Sequence, residues 1–352
     1  MAGVEYAASN GGIELVPGYR HKLTKAPLGE WNLWGRLREV VVGTAEGTIV
    51  PGYERVFEKV AAPEIVELTQ KHGGKLIKDV MPEYYAAFEA ESDELARIYE
   101  LHGVKVHRPR AILPEEAAYS FGFGATNTFP CDSFWCVGRN IIESSWRKMF
   151  GRPMKWAVRE IYQPYVDADP SVLLHACPAP SPGGGPEAGD YYFEVGDMLI
   201  VGNGNIILAY DAAGTSSNPR GCEWVKRMLE LDGFKVTIIS LPDTGILHLY
   251  AVICIIGPGI AIAYEGAFPG KSLPEPLKEW DVIWCDLEEA KATASCAVNI
   301  DRKTVLLPRR APKTCDAAGR LGFNVVDIEF SAHAMAAGGI RCATGVIYRE
   351  ID

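Results

Sequence analysis

The residues best suited to chemistry lie far apart in the chain. Cys342 stands in the run Gly338-Gly339-Ile340-Arg341-Cys342-Ala343-Thr344-Gly345. Two glycines allow positive φ or a close approach of backbone to a ligand. Arg341 places a cation next to the cysteine, which favours the nucleophilic thiolate. The competing role for Cys342 is a small buried side chain in a last strand, the commoner fate of a free cysteine. A working nucleophile needs a proton carrier and charge partners. His248, in Leu247-His248-Leu249-Tyr250, is the candidate general acid/base, and Asp132, Glu194 and Asp197 are the candidate carboxylates. Thiol, imidazole and carboxylates together point to covalent catalysis at an electrophilic carbon. The carboxylates suit a cation such as a guanidinium, which they can hold through paired N–H···O bonds. His333 is a further candidate. The run Gly202-Asn203-Gly204-Asn205 reads as a hairpin turn, since no P-loop lysine or dinucleotide fingerprint follows it. No metal-ligand spacing stands out, so neither metal nor cofactor is expected.

What brings such distant residues together is a repeat. Four segments have the form apolar strand, short Gly/Asn/Asp turn, apolar strand: residues 133–143, 197–208, 252–262 and 296–307. Such turns are hairpin chemistry. A short helix, a break and a strand accompany them at 94–107, 223–238 and 316–328, with a shorter version at 273–286. With the valine-rich strand at 37–43 the count reaches about five ββαβ units. A repeated module cannot bury its apolar faces alone, so neighbours must pack around a shared axis. The expected fold is therefore α/β, a five-bladed propeller around a central cavity. Asp132, Asp197 and His248 each precede a hairpin, and Ser295 holds the comparable place in the fourth. Equivalent positions in a ring point toward one axis, which draws these residues and Cys342 to a common site.

Composition narrows the class. The chain has 352 residues, 48% of them hydrophobic, and a formal net charge of −10. That charge argues against nucleic acid or an anionic membrane as the main partner. Nine cysteines, irregularly spaced, include no CxxC pair, and no signal peptide or membrane span is read. The expectation is a cytoplasmic protein with reduced cysteines. Residues 1–30 read as an N-terminal arm and 31–352 as one catalytic domain. The helical pattern over 82–102 places Tyr85, Phe88, Leu95, Ile98, Tyr99 and Leu101 on one face, while 51–75 follows no clear period. The Pro/Gly loop at 177–186 reads as a connector.

The chain resembles the amidinotransferases over roughly residues 31–349. The marks are WNLWGRLREVVVGTAEG at 31–47, LHGVKVHRP at 101–109, ACPAP at 176–180, IIGPGI at 255–260 and GGIRCAT at 338–344. The resemblance implies the pentein fold, with Cys342 as nucleophile, His248 as general acid/base and Asp197 as the acid that orients the histidine and contacts the guanidinium. Asp132 matches the aspartate of the family's Pro-Arg-Asp motif, and Glu194, Tyr250 and Arg341 complete the substrate-binding candidates. Arg341 has an alternative, because strand alternation can turn it away from the thiol. The implied reaction moves the amidino group of arginine, or a related donor, to an amine through an amidino-cysteine. Its partners are small molecules, and the reading leaves room for a homodimer.

Several positions depart from the family pattern. Tyr250 replaces the aspartate of a His-x-Asp motif, and Tyr264-Glu265-Gly266-Ala267 stands where an Asn-Pro-Asp-Arg segment is usual. Arg341 stands where a histidine is usual. These changes keep two other readings open. One is a cysteine hydrolase of a substituted guanidine; the other is a pentein that binds without catalysis.

Overall fold

The computed structural model describes residues 12–181 and 189–352. Residues 1–11 of the expected arm, and 182–186 of the expected connector, lie outside the described residues. The rest of the arm begins with a small hairpin. Ile13–Val16 pairs antiparallel with Tyr19–His21, and His21 packs its buried ring against both Trp31 and Phe234.

Five three-stranded sheets make up most of the molecule. In each, two antiparallel strands are joined by a third that runs parallel to the central one. One sheet orders Phe134–Val137, Asn140–Glu143 and Leu173–Ala176. The next takes Met198–Gly202, Asn205–Asp211 and Lys235–Leu241. The third takes Ile253–Gly257, Ile260–Tyr264 and Asp281–Cys285, and the fourth Val298–Asn299, Thr304–Pro308 and Asn324–Ile328. The last unites the ends of the chain: Thr344–Arg349 pairs antiparallel with Leu37–Val42, which runs parallel to Lys105–His107. Central strands buried on both faces explain the continuous Val/Ile/Leu runs of the sequence.

Helices bridge the parallel pairs. Pro82–Leu101 starts on a proline, whose missing N–H costs nothing at a first turn, and buries Tyr84, Phe88, Leu95, Ile98 and Tyr99. The stripe differs from the expected one at its ends: Tyr84 takes the core side and Leu101 is 69% exposed. Met154–Ala168, Pro219–Leu231 and Pro312–Arg320 do the same work elsewhere. The expected helix near 273–286 does not form. Short turns at Glu265–Ala267 and Pro269–Lys271 serve instead, because Pro274 and Pro276 each remove a backbone donor.

The unperiodic stretch 51–75 holds two short helices, Phe57–Val60 and Pro63–His72. With Thr44–Ile49, which pairs with Ala125–Asn127, and the first turns of Pro82–Leu101, they form an apolar annex containing Ala45, Ile65, Leu68, Ile77, Tyr84 and Phe88. No helix among the described residues is long and apolar enough to cross a membrane.

Candidate active site

Four of the sheets are entered through a chemically equipped turn. Pro130–Asp132 precedes Phe134–Val137, and Val195–Asp197 precedes Met198–Gly202. His248 begins the turn Leu249–Val252 that leads into Ile253–Gly257, and Cys342 precedes Thr344–Arg349. The fourth sheet's counterpart, Ser295, donates to the Ala251 carbonyl and ties two turns together. Cys342, His248 and Asp132 line a single chamber of about 130 Å³.

Cys342 is buried. Its sulfur accepts the Gly339 N–H at 3.1 Å and lies 3.5 Å from the Cys296 sulfur. Burial, the Cys296 thiol and the Asp132 charge hold it as a thiol, well above the usual range, against the pull of the Gly339 N–H. Gly339 takes no positive φ; it is needed for close approach, since a Cβ there would stand 2.5 Å from the Cys296 Cβ. The Cys342 carbonyl accepts the Cys131 N–H, which binds the Cys342 turn to the one carrying Asp132.

His248 is held on two levels. Its ring Nε2–H donates to Glu194 at 2.7 Å, and its Nδ1 lies 3.8 Å from Asp132. Burial alone would depress the imidazole, but the Glu194 hydrogen bond and the charges of Asp132 and Asp197 raise it to about 9. Its backbone takes φ 71°, ψ 152°, a conformation rare outside glycine that clusters at functional sites. Asp197 secures that conformation by accepting the Leu249 N–H at 3.0 Å, together with the Ser216 hydroxyl and the Ser217 N–H. The expected role of Asp197 is thus corrected. Its side chain grips backbone and serines, while the ring of His248 is oriented by Glu194. Two residues of a tight turn, Val195 and Gly196, separate the two carboxylates, enough to send them to different partners.

Glu194 in turn is a hub and not a free substrate ligand. It accepts from His248, from the buried Lys148 ammonium at 2.9 Å and from the Arg147 N–H. Its burial, which raises a carboxyl, is outweighed by Lys148 and His248, which bring it down to about 2. Asp132 keeps the opposite balance: burial pushes it up to about 7 against the attraction of His248. Tyr250, buried behind it, donates its hydroxyl to Asp132 Oδ1, so it aims that carboxylate.

Arg341 does not join the substrate-binding candidates and follows its alternative reading. It points away from the thiol into a buried cluster, donating to Glu30 at 2.8 Å with its guanidinium over the Trp135 ring. His333 is also structural: it stacks between Phe88 and Phe330 and bonds Glu91 and Ser92. Residues that sequence reasoning missed are Lys148 and the aromatic walls of Phe57, Phe129, Trp146 and Phe150. Nothing in Trp146-Arg147-Lys148-Met149 distinguishes a buried lysine from a surface one. Among the described residues no His/Cys/Asp/Glu group has the arrangement of a metal site.

A buried thiol, an imidazole and the Asp132 carboxylate share one chamber, and the fold gives the arrangement company. The structure matches SxtG, an amidinotransferase from Microseira wollei in the saxitoxin biosynthetic pathway, with a TM-score of 0.77 at 22% identity, covering 93% of this chain and 98% of that one. It also matches dimethylarginine dimethylaminohydrolase from Pseudomonas aeruginosa, with a TM-score of 0.60 at 17% identity over 88% and 99% of the two chains. The fold is that of the pentein enzymes. By sequence the chain is similar to the L-arginine:L-lysine amidinotransferase of Pseudomonas savastanoi pv. phaseolicola, 23% identical over 92% of this chain and 95% of its relative. It is similar as well to mitochondrial glycine amidinotransferase of Xenopus tropicalis, 26% identical over 93% and 84%. No family model matches the chain. The resemblance to amidinotransferases read from the sequence is borne out along nearly its whole length.

Proposed function

We propose that this protein is an amidinotransferase that moves the amidino group of L-arginine, or of a related guanidino donor, to an amine through an amidino adduct on Cys342. The observation that carries the reading is that Cys342, His248 and Asp132 open onto the same chamber. Five sheets of one strand order, four of them entered through a functional turn, support a five-bladed ring around that site. In this reading residues 31–352 form a single catalytic domain acting on small molecules in the cytoplasm.

The charges suggest the sequence of events. Asp132, aimed by Tyr250, holds the guanidinium. That cation beside the sulfur, with the Gly339 N–H, favours the thiolate, and the thiol proton is released to solvent as the donor binds. The sulfur attacks the guanidinium carbon and a C–S bond forms. The His248 imidazolium gives its proton to the departing nitrogen as the C–N bond breaks, and ornithine leaves when arginine is the donor. The neutral imidazole then takes a proton from the entering amine, whose nitrogen forms the new C–N bond while the C–S bond breaks.

The test is incubation with arginine, with and without amines, read by mass spectrometry. An amidino adduct on Cys342, and ornithine released in step with a new guanidine, are expected. Citrulline formed without amine identifies a hydrolase instead, a reading to which the likeness to a dimethylarginine hydrolase gives weight. Turnover unchanged in Cys342→Ala would refute both.

A further inference from the structure

A second thiol lies directly behind Cys342. Cys342 lines the chamber, whereas Cys296 is fully buried and stands outside the lining. Their sulfurs are 3.5 Å apart, and a disulfide brings two sulfurs to about 2 Å, a gap that rotation of both side chains closes. The backbone fixes this approach. The Arg341 N–H donates to the Cys296 carbonyl at 3.0 Å, which joins the Cys342 turn to the turn ending at Cys296. Gly339 lets the two turns meet, since a Cβ there would stand 2.5 Å from the Cys296 Cβ and 2.9 Å from its sulfur. Other buried thiols are placed differently. Cys222 and Cys285 donate to the carbonyls of Ala209 and Ala263, as satisfied core cysteines do. The Cys296 sulfur meets the sulfur of Cys342 instead.

We propose that Cys342 and Cys296 form a redox-modification site, at which a hydroperoxide entering the chamber oxidises Cys342 and Cys296 resolves the product to a disulfide. The proposal needs only the two sulfurs and stands apart from the transfer reading. In the first step the Cys342 sulfur attacks the peroxide. An S–O bond forms, the O–O bond breaks, and the departing hydroxide leaves as water with the thiol proton. In the second step the Cys296 sulfur attacks the sulfenic sulfur. The S–S bond forms, the S–O bond breaks, and the hydroxyl leaves as water with the Cys296 proton. Two thiols and one hydrogen peroxide thus give one disulfide and two waters. The sulfurs lose two electrons and the peroxide oxygens gain them. Access sets the order, because an oxidant in the chamber meets Cys342 and not Cys296. The burial that holds Cys342 as a thiol slows the first step, since the thiolate is the reactive form. It also denies the reduced pair any thiolate stabilisation, so the disulfide persists once made. With its sulfur so engaged Cys342 has no lone pair to offer a carbon, and any reaction that needs it stops until a thiol reductant reopens the bond.

Wild-type protein suffices for the first test. The full chain is held with a small excess of hydrogen peroxide, unfolded in alkylating agent, and digested with trypsin without reduction. Residues 292–302 and 342–349 are the tryptic peptides that carry Cys296 and Cys342, and mass spectrometry should find them joined. Amidino transfer should fall about tenfold or more, and dithiothreitol should restore it to within about twofold. Three findings overturn the proposal: Cys342 recovered as sulfinic acid, Cys342 joined to Cys131 of the same cluster, or both Cys296 and Cys342 alkylated as free thiols. A variant supplies the second test, each protein being compared with its own untreated rate. In Cys296→Ser the joined peptide should vanish and peroxide should carry Cys342 on to sulfinic acid, a loss that dithiothreitol does not reverse. Recovery as complete as in the wild type would show that Cys296 is not the resolving thiol. If the peptides join while no amine accepts an amidino group, the transfer reading fails and the disulfide site stands. If transfer proceeds and survives peroxide with both thiols free, only the disulfide site fails.

Discussion

At the level of single residues, the site is built on opposite treatment of its ionisable groups. Asp132 is pushed up to about 7 by burial, and His248 is raised to about 9 by Glu194 and the neighbouring aspartates, against the effect of its burial. Donor capture needs the carboxylate ionised and leaving-group protonation needs the imidazolium. The kcat/KM profile for arginine should therefore be bell-shaped, rising through about 7 and falling through about 9, as initial rates from pH 5.5 to 10.5 would record. Asp132→Asn should cost about a hundredfold or more in kcat/KM, yet stabilise the fold. The folded pKa of Asp132 lies above the ordinary value of about 3.9, so its burial weakens the fold progressively as pH rises from about 4 through 7. Denaturant melts should show the asparagine variant gaining most at pH 8 and little at pH 4. His248 and Asp132 were legible because each stands just before an apolar hairpin, and Cys342 because it stands in a glycine-rich turn before the last apolar strand. Glu194 and Asp197 could not be assigned apart, since a three-residue turn decides which carboxylate meets the ring. Arg341 could be read either way, because its neighbour in sequence is Cys342 while the turn sends its side chain the other way.

Among elements, the hairpins and their following strands could be read directly, because both hydrogen-bonding periodicity and turn residues are local. The segment 51–75 could not, although it builds much of the chamber. Phe57, Ile65 and Leu68 serve a cavity lined from several directions, so their spacing follows no single buried face and the 3.6-residue signal is lost. Lys148, on the stretch linking the Asn140–Glu143 strand to the Met154–Ala168 helix, shows what such connecting segments contribute. Its ammonium neutralises the Glu194 carboxylate that orients His248. Without it, Glu194 would act on the imidazolium alone and hold its proton more tightly. Lys148→Met is expected to lower kcat about tenfold and move the falling limb of the pH profile above 9. Lys148→Arg, which keeps the charge, should restore that limb. A loss of rate with an unmoved limb would reduce Lys148 to packing.

For the whole molecule, the question is what holds the two ends of the chain in one sheet next to the nucleophile. The central device is Glu30, fully buried, which accepts from Trp135, Arg341 and Arg349. Burial would raise its carboxyl, but the two guanidiniums bring it below the usual range. Arg349 also donates to the carbonyls of Gly35 and Asn299, so the cluster gathers the strand after Phe134, the turn after Val298, the entry to Leu37–Val42 and the C-terminal strand. Replacing an entire buried ion cluster by apolar groups can be neutral, but removing one partner leaves uncompensated charge, at about 3–5 kcal/mol. Glu30→Gln strands two buried arginines and should lose about that much in denaturant unfolding. Arg341 and Arg349 do not line the catalytic chamber. The folded fraction of that variant should therefore keep kcat within about twofold at low temperature. Cys342→Ala should show the converse, with nearly unchanged stability and no turnover. If Glu30→Gln instead abolished turnover while leaving stability intact, Arg341 would belong to the chemistry after all, and the division between a chamber that reacts and a charged cluster that only clasps the two ends of the chain would fall.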